Sequence, residues 1–260
     1  MTHASLFSGI GGFDLAAEWA GWTNAFNCEI DPFCRKVLKY HFPDAEQYED
    51  IKKSDFSKWR DRIDVLTGGF PCQPFSLAGK RKGTEDDRYL WPAMLNVIRT
   101  VRPRWIVAEN VLGIVNWSKG LVFDTVCSDL ETNGYEVQPF IIPACGVGAP
   151  HRRDRCWFVA HRADTGIERC EECNTSEKSS QMQGLSIQNG NGKRRIPDWS
   201  GFPTESPVCD RNDGFPGELA GLSFPAWCRE SIKACGNAIV PQVALQIFKT
   251  IEEYETKQLR

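Results

Sequence analysis

The sequence has no apolar run near 18 residues, so no membrane-spanning helix is expected. Its N-terminus lacks the basic, apolar and small-residue parts of a signal peptide. The eleven cysteines are odd in number and carry no disulfide-framework spacing, so reduced thiols in the cytoplasm are expected. Cys170-Glu171-Glu172-Cys173 could be half of a zinc site, with His161 or Cys209 as further ligands, but no second pair of suitable spacing exists. Two surface thiols, and no metal, are therefore expected. Internal repeats are absent. Positive charge is not in excess either: 31 Lys and Arg against 34 Asp and Glu leave a net charge of -3. That excludes a uniformly basic nucleic-acid binder but not a local footprint. Residues 79–104 carry seven Lys/Arg against three Asp/Glu, and residues 151–200 carry nine against seven.

What is present is ordinary globular composition, 41% hydrophobic and 25% charged, in a length that suits one large domain or a domain with an insert. HASLF, TNAFNCEI, a short segment ending at Asp50-Ile51, IDVLTGG and WIVAENV read as strands. FDLAAEWAGW, PFCRKVLKYHF, LWPAMLNVIRTV and LVFDTVCSDLETNG read as the helices between and after them. Pro32 is placed to start a helix and Gly134 to stop one. EVQPFIIPA and RCWFVAHR read as two more strands. The alternation predicts an α/β fold with a doubly wound, mainly parallel, Rossmann-like sheet. From Ala163 to Leu222 the chain becomes rich in Ser, Asn, Gly, Gln and Glu without periodicity, the mark of an irregular insert. GNAIVPQVALQIFKTIEEYE then returns to helical periodicity.

Chemistry-bearing residues fall at predicted strand ends, where open α/β sheets bind ligands. Phe7-Ser8-Gly9-Ile10-Gly11-Gly12 is a glycine turn between strand and helix, short of a complete G-x-G-x-x-G pattern. Glu29 ends the second strand and could accept from ribose hydroxyls, and Asp50 ends the third and could reach an adenine amino group. Each alone is a cap or a surface charge as readily as a ligand; together they favour an adenosine-containing cofactor. In GGFPCQPFS, Cys72 stands between Pro71 and Pro74, with Lys80, Arg81 and Lys82 just beyond. A lone cysteine is ordinarily a core thiol, but a stiff loop in positive surroundings suits a nucleophile. Glu109 closes the apolar run WIVA; burial would raise its pKa and let it hold a proton. Arg152, Arg153 and Arg155 are either a salt-bridged strand edge or a clamp for a planar or anionic partner. Strand alternation would put Arg153 and Arg155 on one side.

SLFSGIGGF, Glu29, Asp50-Ile51, GGFPCQPFS, Glu109-Asn110-Val111, RRDR and GNAIVPQVA, in this order, resemble the C5-cytosine DNA methyltransferase family over nearly the whole chain except the insert. The resemblance implies an S-adenosyl-L-methionine-dependent methyltransferase fold and transfer of a methyl group to C5 of a flipped-out cytosine in duplex DNA. Cys72 would attack C6, Glu109 would contact N3 and the exocyclic amine, and Arg153 and Arg155 would hold the base. Phe7, Gly9, Ile10, Gly11, Gly12, Glu29, Ile30, Asp50, Ile51, Pro71, Leu90, Asn237 and Ala238 would bind the cofactor. Gln73, Ser76, Lys80, Arg81, Lys82, Lys193, Arg194 and Arg195 would contact DNA. Residues 1–162 and 223–260 would form the catalytic domain and 163–222 the target-recognition region. A monomer in the cytoplasm of a prokaryotic or phage-infected cell is implied; a cognate restriction endonuclease, without direct contact, is compatible with it. Two departures stand out. His151 replaces the usual Gln before the paired arginines, and the block after the recognition region is matched only roughly by GFPGELAGLSFPAW. Other readings are a dinucleotide-dependent dehydrogenase, which leaves PCQ, ENV and RRDR unexplained, an RNA cytosine methyltransferase, and a catalytically silent DNA-binding homologue.

Overall fold

A computed structural model describes residues 1–71, 89–163 and 224–258. Seven strands form one sheet: β1 (Thr2–Leu6), β2 (Thr23–Cys28), β3 (Glu46–Tyr48), β4 (Val65–Gly69), β5 (Trp105–Val111), β6 (Tyr135–Pro143) and β7 (Asp154–Arg162). Their order is β3-β2-β1-β4-β5-β7-β6. The first five are parallel, and β7 runs antiparallel between β5 and β6. The six α-helices among the described residues are α1 (Gly12–Trp19), α2 (Pro32–His41), α3 (Trp91–Val101), α4 (Leu121–Thr132), α5 (Phe224–Asn237) and α6 (Pro241–Gln258).

The central strands are near-continuous apolar runs because both faces of the sheet are covered. Alternate residues divide between two cores. Leu66, Ile106 and Phe158 face the layer that includes α3 and α4. Val65, Val107 and Trp157 face α1 and α6, which bring Phe13, Trp22, Phe248 and Ile251. The indole N–H of Trp22 donates to Glu252 at 2.5 Å and that of Trp105 to Glu255 at 2.7 Å, fastening α6 across the sheet.

Local chemistry accounts for the element ends. Asp31 caps α2, accepting from the N–H groups of Phe33 (2.9 Å) and Cys34 (3.4 Å), with Pro32 in the first turn. Gly134 follows α4 at φ 83 and stops it. The third strand ends at Tyr48, so Asp50 and Ile51 lie in the turn beyond it rather than in the strand. The helical periodicity read from Gly236 onward resolves into the last two residues of α5, a break at 238–240, and α6, because Pro241 opens α6 and disfavours helical backbone just before itself. Helix α5 begins where sequence periodicity was not evident.

Strand order reverses at β1, whose neighbours β2 and β4 lead to opposite sides, and this opens a crevice at the carboxyl ends. Gly11, at φ 86, makes the turn into α1, and a Cβ there would lie 2.5 Å from the Phe42 ring. Gly11→Ala combines left-handed strain with overpacking and is expected to cost about 2–4 kcal/mol. Urea unfolding measures this; an unchanged midpoint would show that Phe42 moves aside freely.

Candidate active site

The turn leaving β1 is built from unusual backbone: Phe7 at φ 52, Gly9 at φ 55 and Gly11 at φ 86. Its Ser8 N–H donates to the Cys28 carbonyl at 3.2 Å, tying it to the end of β2. The Glu29 carboxylate then bridges two elements. One oxygen accepts from Gly9 N–H at 2.7 Å and the other from Asp31 N–H at 2.8 Å. Asp50 accepts from Lys52 N–H at 2.9 Å and pairs with Lys53 at 3.3 Å, and the Lys52 N–H is the main reason its carboxyl lies below the usual range. These three loops border one cleft of about 770 Å³.

Phe7, Gly9, Glu29, Ile30, Asp50, Ile51, Pro71, Leu90 and Asn237 all line that cleft, and so do Glu109, Arg153 and Arg155. Four residues expected beside them do not. Ile10 packs with Phe33, Cys34, Val37 and Ala234. Gly11 and Gly12 are packing glycines, with room for a Cβ denied by Phe42 and Ile239 respectively. Ala238 offers its carbonyl to Arg153 instead. Gly9, in contrast, has nothing within 4 Å of where a Cβ would stand. Cys72, Gln73, Ser76, Lys80, Arg81, Lys82, Lys193, Arg194 and Arg195 lie outside the described residues, as does the Cys170–Cys173 pair.

Glu109 is buried at the end of β5, paired in register with Gly69 of β4, whose missing side chain leaves room for the carboxyl group. Burial pushes its pKa up to about 7, against the opposing pull of Arg155 and Arg153. It can therefore hold or release a proton near neutral pH. Arg155 Nε donates to Glu109 Oε1 at 2.8 Å. β7 is antiparallel, so its first residues meet the carboxyl end of β5, with Arg155 opposite Val111.

Arg153 stands just before β7, at φ 39, so strand alternation does not govern it. Both arginines nevertheless line the cleft. The guanidinium of Arg153 donates to the carbonyls of Gly236 (3.0 Å) and Ala238 (2.5 Å), a different engagement from that of Arg155. Arg152 is exposed and pairs with Asp154 at 2.9 Å.

Sequence reasoning passed over Asn110, Lys233 and Glu230. Buried Asn110 donates to the Phe70 carbonyl at 2.9 Å and accepts from Val111 N–H at 2.9 Å. It thereby holds the chain that leads into Pro71, whose carbonyl also accepts from Leu90 N–H at 3.3 Å. Its place beside Glu109 was the available signal. Glu230 and Lys233 reach the cleft from α5, and Lys233 pairs with Asp31 at 2.9 Å. No local pattern announces that contact across some two hundred residues. Cys28 and Cys34 also line the cleft, but burial pushes both thiols up to about 12.

Residues 1–201 match a family described as C-5 cytosine-specific DNA methylase. The chain is 36% identical to the type II methyltransferase M.Eco47II of Escherichia coli over 166 residues, 63% of this chain and 40% of that protein. It is 37% identical to the type II methyltransferase M.HpaII of Haemophilus parainfluenzae over 170 residues, 64% of this chain and 47% of that one. The chain thus spans about half the length of such curated relatives. A solved structure of S. pombe Dnmt2 methyltransferase superposes with a TM-score of 0.54 at 24% identity, covering 65% of this chain and 53% of that one, a likeness of fold.

Proposed function

We propose that this chain, which belongs to the C-5 cytosine-specific DNA methylase family, transfers a methyl group from S-adenosylmethionine to carbon 5 of a cytosine drawn out of duplex DNA. The observation that carries the reading is one cleft that joins an adenosine-compatible wall to a buried, protonatable carboxyl. Cys72 follows Pro71, a residue of that same cleft, by one peptide bond.

The wall fits the cofactor chemically. Phe7, Ile30, Ile51 and Leu90 are apolar surface for a purine, while Glu29 and Asp50 are acceptors for ribose hydroxyls and an amino group. Gly9 leaves the turn open to close approach. S-adenosylmethionine supplies, when bound, the electrophilic methyl group. The chain's own residues do the rest. A stacked base is out of reach, so the cytosine must leave the helix. The Cys72 thiolate adds to C6, and Glu109 gives a proton or a short hydrogen bond to N3, so the electron pair is directed to C5. Methyl transfer to C5 would leave S-adenosylhomocysteine; a base then takes the C5 proton, the C6–sulfur bond breaks to release the thiolate, and any proton given to N3 returns to Glu109, which restores the ring. Arg155 holds the Glu109 carboxyl and faces the base.

Residues 163–222 are assigned to target recognition, with Lys193, Arg194 and Arg195, and Lys80, Arg81 and Lys82 a few residues after Cys72 in sequence, on phosphates. The substrate is duplex DNA and the enzyme acts as a monomer in the cytoplasm. No helix among the described residues is long and apolar enough to cross a membrane.

Bisulfite conversion sequencing of DNA from a methylation-free host expressing the chain tests the reading. Protected cytosines in one short sequence context are expected. None, from folded protein that binds S-adenosylmethionine, would turn the assignment toward RNA or a silent binding role.

A further inference from the structure

We propose that Arg153 is a positioning residue that couples the cofactor part of the cleft to the base part, by holding the turn that carries Asn237. The inference rests on the function proposed above. Helix α5 ends at Asn237, and its last carbonyls have no partners within the helix. The Ala238 N–H serves those of Ala234 and Cys235, and Arg153 serves the next: one guanidinium nitrogen donates to the Gly236 carbonyl and to that of Ala238 just past the helix, on either side of Asn237. A cation at a helix C-terminus is also favoured by the helix dipole.

The backbone shows that this engagement is enforced. Arg153 sits at φ 39, which a residue with a side chain keeps only where its surroundings over-determine it. Its Nε is buried without a hydrogen-bond partner among the described residues, so reaching the α5 carbonyls has left a donor unsatisfied. The same side chain lies within electrostatic reach of Glu109 and Arg155.

Elsewhere α5 is held over the cleft by the ion pair of Lys233 with Asp31, whose N–H is fixed by Glu29. Arg153 therefore touches the turn that carries Asn237 and shares the cleft wall with Glu109 and Arg155. A cofactor that settles Asn237 fixes the Arg153 guanidinium. A base that engages Glu109 and Arg155 acts on the same charge cluster. Linkage makes the effect reciprocal: cofactor tightens DNA by the factor by which DNA tightens cofactor.

Calorimetry with S-adenosylhomocysteine, with and without the duplex identified by conversion sequencing, tests this on the full chain. Wild-type protein is expected to bind the analogue about tenfold more tightly in the presence of DNA. Arg153→Ala is expected to lose that enhancement, to bind the analogue more weakly, and to show faster hydrogen exchange at residues 233–240. Arg155→Ala, which leaves the α5 carbonyls capped, is expected to keep the analogue affinity and the slow exchange. Arg153→Lys keeps the charge without the planar fork and is expected to fall between; it carries the test if Arg153→Ala does not fold. Wild-type coupling and exchange in the folded Arg153 variants would overturn the inference alone. Wild-type protein that binds no analogue would overturn it together with the proposed function.

Discussion

Cys72→Ala is expected to transfer no detectable methyl group, a loss of about ten-thousandfold or more, while binding S-adenosylhomocysteine as the wild type does. The size follows from the chemistry. C5 of cytosine gains carbanion character only when a nucleophile adds to C6, so removing the sulfur removes the route rather than slowing one step. Serine is not expected to rescue, because its hydroxyl is far harder to ionise. Nor do neighbouring thiols offer a substitute. Cys28 and Cys34 line the same cleft, yet burial pushes both up to about 12 and holds them protonated. Tritium transfer from labelled cofactor to DNA gives the rate and calorimetry the affinity. Residual transfer above a trace would remove Cys72 from the nucleophile's role. Lost cofactor affinity would mean instead that the loop supports the donor pocket.

Glu109→Gln should lower the rate by about 10²–10⁴-fold and change its dependence on pH. The buried carboxyl has its pKa raised to about 7, so the proton-bearing form prevails below that value and is lost as pH rises through it. In wild type the alkaline side of the single-turnover rate should fall accordingly, and the amide variant should lack that fall. Stability supplies a second readout. The unfolded carboxyl titrates near 4.5 and the folded one near 7. Between those values the unfolded chain gives up a proton that the folded chain keeps, so this group makes the fold less stable as pH rises across the window. Relative to wild type, Glu109→Gln should therefore gain stability as pH rises from about 4.5 to about 7. Parallel pH–stability curves would show that Glu109 is not the strained group inferred here.

The parallel half of the sheet was legible because strands buried on both faces need unbroken apolar runs, and Val65-Leu66 or Ile106-Val107 have no other use. The buried carboxyl of the cleft was legible for a related reason: Glu109 closes such a run, and a charge there requires an explanation. The glycine turn was only half legible. Sequence marks Gly9, Gly11 and Gly12 alike, but only packing shows that Gly9 faces open space and the other two face side chains. Helix α5 escaped notice because its role depends on partners far off in sequence, Lys233 with Asp31 and the Gly236 and Ala238 carbonyls with Arg153. The separate duties of Arg153 and Arg155 escaped for a different reason. Alternation describes strand residues, and Arg153 precedes the strand at a positive φ.

Helix α6 also bears on how this fold can assemble. It is the last described element, and Val243, Leu245, Phe248 and Ile251 complete the core whose other members begin at Phe13. Without α6, the apolar residues Val65, Val107 and Trp157 would keep α1 as the one other described helix of that face. An intermediate in which the strands have paired before α6 docks would carry an open apolar surface, the kind that draws chaperones or self-association. Docking of α6 closes that surface and sets the indoles of Trp22 and Trp105 against Glu252 and Glu255.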